Sequence, residues 1–255
     1  MEEKIEKEKR TPVISVKDLS KNFQVGKKND VQVLKKVNLE VFSGEFVILF
    51  GPSGSGKSTL LHSVLGLETP TSGAVYIRGE NLYALDEDDR TSFRSQKIGT
   101  VYQQSQWIKT LNVLDNVALP LNILGRNDAQ ARERAWETLK TVNMTEFAHY
   151  SPAELSGGQQ QLVCMARALV NNPWIIIADE PTGNLDTTSA NNLIHLFQEL
   201  NQKSKRTILM VTHNMDYLQY ATKKFLIIDG KIIGSYGSDI DKMAKIVAPG
   251  VFRKV

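Results

Sequence analysis

One cysteine, Cys164, stands among 255 residues. It excludes an internal disulfide and any metal cluster built on cysteines. No apolar run approaches the ~18–20 residues a helix needs to cross a bilayer, so a spanning helix is not expected. Charge of one sign is scarce too. The 31 Lys and Arg meet 28 Asp and Glu, a formal net charge of +3, too small to mark nucleic acid or an anionic membrane as a partner. Met1 to Arg10 mix Glu and Lys without an apolar stretch, which reads as a solvated tail rather than a secretory signal. His62, His149 and His195 are scattered without metal-ligand spacing. There is no internal repeat and no low-complexity linker. What remains is an ordinary globular composition, long enough for a sizeable core and compatible with the cytosol.

Apolar segments recur along the chain and alternate with helical stretches. Strands are expected at Val13–Val16, Val37–Val41, Glu45–Phe50, Ala74–Ile77, Ile98–Tyr102, Trp174–Ala178, Thr207–Thr212 and Phe225–Asp229. Helices are expected after residue 58, over Ala129–Val142, from Gly158, over Thr188–Lys203 and near Ile240–Val247. Strands alternating with helices predict a largely parallel sheet covered on both faces. Trp174-Ile175-Ile176-Ile177-Ala178 is apolar without alternation, as in a central parallel strand buried on both sides. Strand signals vanish between about 111 and 155, which predicts a helical subdomain at about 104–160 inserted in a single domain, 11–255. The acidic run Asp86 to Arg90 reads as a solvated turn or a helix start.

Three short segments carry chemistry. Residues 51–58 read Gly51-Pro52-Ser53-Gly54-Ser55-Gly56-Lys57-Ser58, between an apolar strand and a helix opening at Thr59. Glycines let backbone N–H groups close on phosphate oxygens, and the following helix turns its positive end toward them. Lys57 can reach the β- and γ-phosphates, and Ser58 can offer its hydroxyl to Mg²⁺. A nucleoside triphosphate ligand follows. Asp179 and Glu180 end the buried strand, where ligands of such sheets bind. Asp179 can hold Mg²⁺, and Glu180 can polarise an attacking water. Leu155-Ser156-Gly157-Gly158-Gln159 precedes a helical stretch that Ser156 can cap, with glycines that admit an anion close to the first N–H groups.

Taken together, the loop at 51–58, LSGGQ at 155–159, IIIADEP at 175–181, GNLD at 183–186 and the VTH ending in His213 resemble the ATP-binding cassette (ABC) family, in the family's order, from about Val13 to Gly234. The resemblance implies an α/β P-loop NTPase core with a mainly parallel sheet, an antiparallel β subdomain and an inserted α-helical subdomain. It implies ATP and Mg²⁺, hydrolysis, and two copies packed head to tail around two nucleotides. Ser156, Gly157, Gly158 and Gln159 would then face an ATP held by the second copy. Gln103 resembles the Q-loop glutamine, which touches Mg²⁺ and signals to a membrane subunit; Gln104 is adjacent and fits the same pattern one residue on. His213 resembles the switch histidine that meets the γ-phosphate, and Asp186 the D-loop aspartate that couples the sites. Phe23 is similar to the aromatic that stacks on adenine, and equally to a core residue beside a strand.

GNLD, LGLETPTSG at 65–73 and NVALPL at 116–121 resemble the MacB/LolD-like branch, which serves macrolide and lipoprotein transport. That implies a peripheral subunit at the cytoplasmic face of the inner membrane. Its partner would be an integral-membrane permease with a large extracytoplasmic domain, and nucleic acid is not an expected partner. Two departures stand out: Leu162 where many relatives carry Arg, and Trp107 where smaller residues are common. Trp107 is either an anchor for the membrane partner or a packed residue of the subdomain. A non-transport ABC ATPase would carry two cassettes, a coiled-coil insertion or zinc modules, and this chain shows none. A module that binds ATP without turnover is opposed by Glu180 and His213 both being present.

Overall fold

The computed structural model describes residues 11–26 and 29–237. The N-terminal tail and the helix expected near 240–247 lie outside the described residues. In chain order the elements are β1 (Ile14–Val25), β2 (Asn29–Val41), β3 (Phe46–Phe50), α1 (Lys57–Val64), β4 (Ser72–Ile77), β5 (Glu80–Asn81), α2 (Glu87–Lys97) and β6 (Ile98–Tyr102). There follow α3 (Val113–Ile123), α4 (Asp128–Thr141), α5 (Gly157–Leu169), β7 (Ile175–Asp179), α6 (Thr187–Gln202), β8 (Thr207–Val211), β9 (Lys223–Ile228) and β10 (Lys231–Tyr236). The chain divides into two compact units, one of Met1–Arg90 with Val211–Val255, the other of Thr91–Met210.

In the first unit β1 pairs antiparallel with β2 and β4, giving an antiparallel sheet of order β2-β1-β4-β5. Ile14, Val16, Leu19, Leu34, Val37, Leu39, Val41, Val75 and Ile77 fill its buried face. The chain bulges at Asp18, whose φ of 46° breaks the register between Val16 and Leu19. The same unit holds β3, every residue of which is buried, paired parallel to β9 from Val47↔Lys223 to Phe50↔Leu226. Asp229 and Gly230 both take positive φ, 47° and 77°, and turn β9 back into β10. A two-residue Asp-Gly loop of that hand suits the right-handed twist of the paired strands.

In the second unit β7 lies between β8 and β6. β6 and β7 run parallel in the register Ile98↔Ile175 through Tyr102↔Asp179. Ile175, Ile176, Ile177 and Ala178 are buried, as expected of a strand covered on both sides. Helix α5 lies on β6, so closely at Gly99 that a Cβ there would stand 2.3 Å from the Ala168 carbonyl oxygen. Helices α3 and α4 pack on each other and on α5. Asn112 caps α3 by accepting from the Asp115 N–H. The fully buried Asn116 ties the preceding loop to that helix, donating to the carbonyls of Ile108, Leu111 and Asn112 and accepting from the Ile108 N–H. All described elements between β6 and β7 are helical.

Candidate nucleotide site

In the first unit the loop at 51–58 leaves β3 and enters α1. Gly51, at φ 156°, passes so near β9 that a Cβ would stand 2.0 Å from the Ile227 carbonyl oxygen. Gly56, at φ 97°, is the residue before the helix, and a Cβ there would meet Leu34 Cδ2 at 3.0 Å and the Val33 carbonyl at 3.1 Å. Glycine at both positions is therefore a demand of close backbone approach. Lys57 is 8% exposed. Its ammonium donates to the carbonyls of Gly51, at 3.0 Å, and Pro52, at 2.8 Å, and so ties the start of the loop to its end. Ser55 Oγ is buried with no hydrogen-bond partner among the described residues. No side chain caps α1, so its first N–H groups and that hydroxyl are donors suited to phosphate oxygens. Ser53, Gly54 and Ser58 are exposed, and Pro52 and Thr59 half-buried.

Phe23 lies on β1 opposite Val31 and is half-buried. The Lys21 ammonium sits 4.8 Å from its ring centroid and is paired with Glu68. The ring is therefore a rim residue of the sheet, with an edge open to solvent. His213 follows β8 and is exposed.

The remaining candidates belong to the second unit. Gln103 and Asp179 stand at the carboxyl ends of neighbouring strands, because Tyr102 is the residue paired with Asp179. Burial pushes the Tyr102 phenol above its ordinary pKa, and it stays neutral. Glu180 follows Asp179 at φ 47°, a left-handed conformation for a side chain with no special tolerance of it. Such strain is retained where the surroundings over-determine it, often at reactive sites.

The segment 183–189 is the hub of this unit. Gln103 Nε2 donates to Asn184 Oδ1 at 3.1 Å. A Cβ on Gly183 would stand 2.6 Å from that same Nε2. Asp186 caps α6, accepting from the Ser189 N–H at 3.0 Å and the Ser189 hydroxyl at 2.6 Å. The hydroxyl bond, and then the amide, hold the Asp186 carboxyl below its usual range. Ser156 caps α5 in a reciprocal box: its hydroxyl accepts from the Gln159 N–H, and Gln159 Oε1 accepts from the Ser156 N–H. A Cβ on Gly157 would stand 3.6 Å from Leu185 Cδ2. The residues of 155–159 and 183–186 are thus packed together within one chain, with Gln103 attached to them.

Trp107 is half-buried and tied to α5. Its Nε1 donates to Gln160 Oε1 at 3.1 Å, and the Arg167 guanidinium lies 4.6 Å from its ring. Arg167 also donates to the Gln106 carbonyl. Gln104 is exposed, and its neighbour Gln103 is the one engaged by Asn184. Cys164 is buried on α5, and burial raises its thiol pKa. Asn184, Gln161 and Ser189 carry contacts that no local sequence signal announces. Asn184 lies inside GNLD, where the resemblance gives a role to the aspartate alone.

The ABC transporter family matches residues 34–183. A lipoprotein-releasing system ATP-binding protein, LolD 1 of Chlorobium chlorochromatii, is 38% identical over 221 residues, covering 86% of this chain and 90% of that one. The macrolide export ATP-binding/permease protein MacB of Syntrophobacter fumaroxidans is 39% identical over 237 residues, covering 91% of this chain but only 33% of that longer protein. Among solved structures, a dimeric ATP-binding cassette in a post-hydrolysis state, bound to ADP and Pi, superposes with a TM-score of 0.81 at 39% identity, covering 88% of this chain and 98% of that one. By family match, relatives and fold, the chain belongs to the ABC transporter family as one of its ATP-binding, ATP-hydrolysing cassettes.

Proposed function

We propose that this cassette hydrolyses ATP to drive a transporter or an envelope machine whose membrane-spanning part is a separate permease. The observation that carries the reading is the loop at 51–58. Gly51 admits no Cβ without backbone movement and Gly56 is held at positive φ against Leu34 and Val33, one hydroxyl is buried without a partner among the described residues, and a nearly buried lysine spans the loop. Such a cradle suits a triphosphate. Lys57 neutralises the β- and γ-phosphates, and backbone N–H groups of Gly54, Ser55 and Gly56 with Thr59 line them. Phe23 offers its exposed edge to the adenine.

The donors fit Mg²⁺. The Ser58 hydroxyl, the Gln103 amide oxygen and the Asp179 carboxylate are hard oxygens. Among the described residues no group of three His, Cys, Asp or Glu could hold a metal alone, as suits an ion held mainly by phosphates and water. When bound, Mg²⁺ neutralises charge on the transferring phosphoryl group. Glu180 accepts the proton of the attacking water, which it orients toward the γ-phosphorus. His213 steadies the γ-phosphate.

A second copy completes the site, with Ser156, Gly157, Gly158 and Gln159 meeting the nucleotide of its partner and Asp186 coupling the two sites. The dimeric relative bound to ADP and Pi supports that arrangement. No helix among the described residues is long and apolar enough to cross a membrane, so force passes through contact with a permease. That permease carries a large extracytoplasmic domain, and the cassette works at the cytoplasmic face of the membrane. In the test, Lys57→Ala is expected to weaken ATP binding and abolish turnover. Ser156→Arg retains ATP affinity in the monomer and loses hydrolysis, measured by nucleotide titration and phosphate release. Equal loss of affinity in both variants would overturn the head-to-tail site. ATP binding without phosphate release by the unmodified protein would make it a regulatory module.

A further inference from the structure

Gln103 is held at two points by residues to which no role has been given. Its main chain is fixed from α5: the Gln161 side chain, 2% exposed, donates to the Tyr102 carbonyl at 3.0 Å and to the Gln103 carbonyl at 2.9 Å. Its side chain is fixed from the segment after β7, where Asn184 Oδ1 accepts from Gln103 Nε2 at 3.1 Å. An amide has one oxygen and one nitrogen. Committing the nitrogen to Asn184 leaves the oxygen, Oε1, as the end available to a cation. With Asn184 Oδ1 facing it, the reversed Gln103 amide would set two oxygens against each other and aim an N–H group at the metal.

Gly183 makes this bond possible. A Cβ at that position would lie 2.6 Å from Gln103 Nε2, 2.9 Å from Cδ and 3.3 Å from Cγ. Any side chain at 183 pushes the glutamine off Asn184. Glycine and asparagine in sequence thus form a seat: the first gives room and the second an acceptor.

We propose that Asn184, seated by Gly183, is a positioning residue that fixes the amide of Gln103 with Oε1 toward the nucleotide-bound metal. The proposal rests on the nucleotide reading given above. Outer residues that orient a metal ligand typically contribute about tenfold or more to metal affinity, and that is the effect expected here.

The test uses the full chain and a non-hydrolysable ATP analogue, AMPPNP, with Mn²⁺ as the metal probe. The analogue's dissociation constant is measured in EDTA and again in saturating Mn²⁺. By linkage, the ratio of the two reports how strongly the protein engages the metal. Thermal melting is followed for each variant. Asn184→Ala and Gly183→Ala are each expected to lose about tenfold of the ratio while the value in EDTA stays at that of the unmodified protein. Asn184→Asp, which keeps an acceptor oxygen, is expected to retain the ratio. A merely structural role would move neither variant's ratio while the melting temperature and EDTA affinity hold. Gln103→Ala is expected to lose the ratio, and Gln103→Ala/Asn184→Ala to lose no more than Gln103→Ala alone, because both act through one oxygen.

Three results would overturn the proposal: a full ratio in Asn184→Ala, additive losses in the double variant, or a full ratio in Gln103→Ala. A failure of the nucleotide reading looks different: the unmodified protein would not bind AMPPNP even in EDTA, and the positioning role would fall with it.

Discussion

Ser189 occupies the space that a side chain at Gly158 would need. A Cβ on Gly158 would stand 2.6 Å from Ser189 Oγ and 2.8 Å from its Cβ, while that same hydroxyl donates to Asp186 at 2.6 Å. A hydroxyl could rotate away, but the Ser189 Cβ moves only with its helix. Gly158→Ala therefore forces α5 and α6 apart, an overpacking that costs about 1–3 kcal/mol. The expected result is a lower urea midpoint with an unchanged slope. Adding Ser189→Gly removes the colliding atoms, and Gly158→Ala/Ser189→Gly recovers much of the loss. Equal instability of the single and double variants would show that the collision is relieved elsewhere.

Asp186 gives a pH signature. Its carboxyl is held below the usual range chiefly by the Ser189 hydroxyl. A carboxyl depressed in the folded state adds stability that is present above its unfolded value and is lost as pH falls through the folded one. The window is therefore acidic, below about pH 4. Asp186→Asn keeps an oxygen that can cap α6 but cannot titrate there. Stability of the unmodified chain is expected to fall more steeply than that of Asp186→Asn below that pH, and the two curves run parallel above it. Parallel curves through the acid range would remove Asp186 as a contributor.

The sequence carried much of this arrangement, and the part it missed has physical causes. Buried apolar runs announced β3, β6, β7, β8 and β9 to within two residues at each end, because a strand covered on both faces has no polar position to blur it. The stop of β7 at Asp179 and the Ser156 cap were legible for similar reasons: one residue type serves one local need. Helix α2 was legible only as a possible start, since none of its residues is buried and Phe93 is its only large apolar side chain. β10 was missed because Lys231–Tyr236 is exposed or half-buried throughout and carries Gly234. The second half of β1 and the first half of β2, which pair with each other, were not legible, because register shifts after Val16, Leu19 and Lys21 interrupt the alternation that would have marked them. Among the candidate site residues, the loop at 51–58 and Asp179-Glu180 are legible as contiguous motifs. Asn184 is not, because its contact with Gln103 bridges 81 positions in sequence and only folding brings the two amides together.

Trp107 joins the segment after β6 to α5 by two kinds of contact, and they can be separated. Trp107→Phe keeps an aromatic face for Arg167 and loses the donor to Gln160. Trp107→Ala loses both, together with the packing of a half-buried indole. A neutral hydrogen bond contributes about 0.5–1.5 kcal/mol, and a cation over an aromatic ring about 0.5–1 kcal/mol at an exposed site. The order of stability is expected to be unmodified, then Phe, then Ala. With Arg167→Ala added, the difference between Phe and Ala should shrink, since the shared partner is gone. An unchanged difference would mean that the guanidinium above the ring contributes nothing. If Trp107 also anchors the permease, as the sequence reading allowed, Trp107→Phe should retain partner-stimulated ATPase better than Trp107→Ala.

Glu180 combines a left-handed backbone with the proposed role of base, and substitution can separate the two. Its φ of 47° is a conformation that costs an ordinary residue roughly 1–2 kcal/mol and glycine almost nothing. Glycine gives back part of that advantage, about 0.5–1 kcal/mol, through the greater freedom of its unfolded chain. The balance still favours glycine over alanine here, the reverse of the order found within helices and strands. Glu180→Gly is therefore expected to melt above Glu180→Ala and near the unmodified protein. Glu180→Gln keeps the shape and the strain and should melt close to the unmodified protein as well. All three variants remove the proposed proton acceptor, so each should hydrolyse ATP about 10²–10⁴-fold more slowly while still binding it. Phosphate release, nucleotide titration and melting on the same preparations give the three readouts. A Glu180→Ala variant as stable as Glu180→Gly would show that the left-handed backbone at 180 relaxes without the side chain. Undiminished turnover in Glu180→Gln would remove Glu180 as the base, whatever its backbone does.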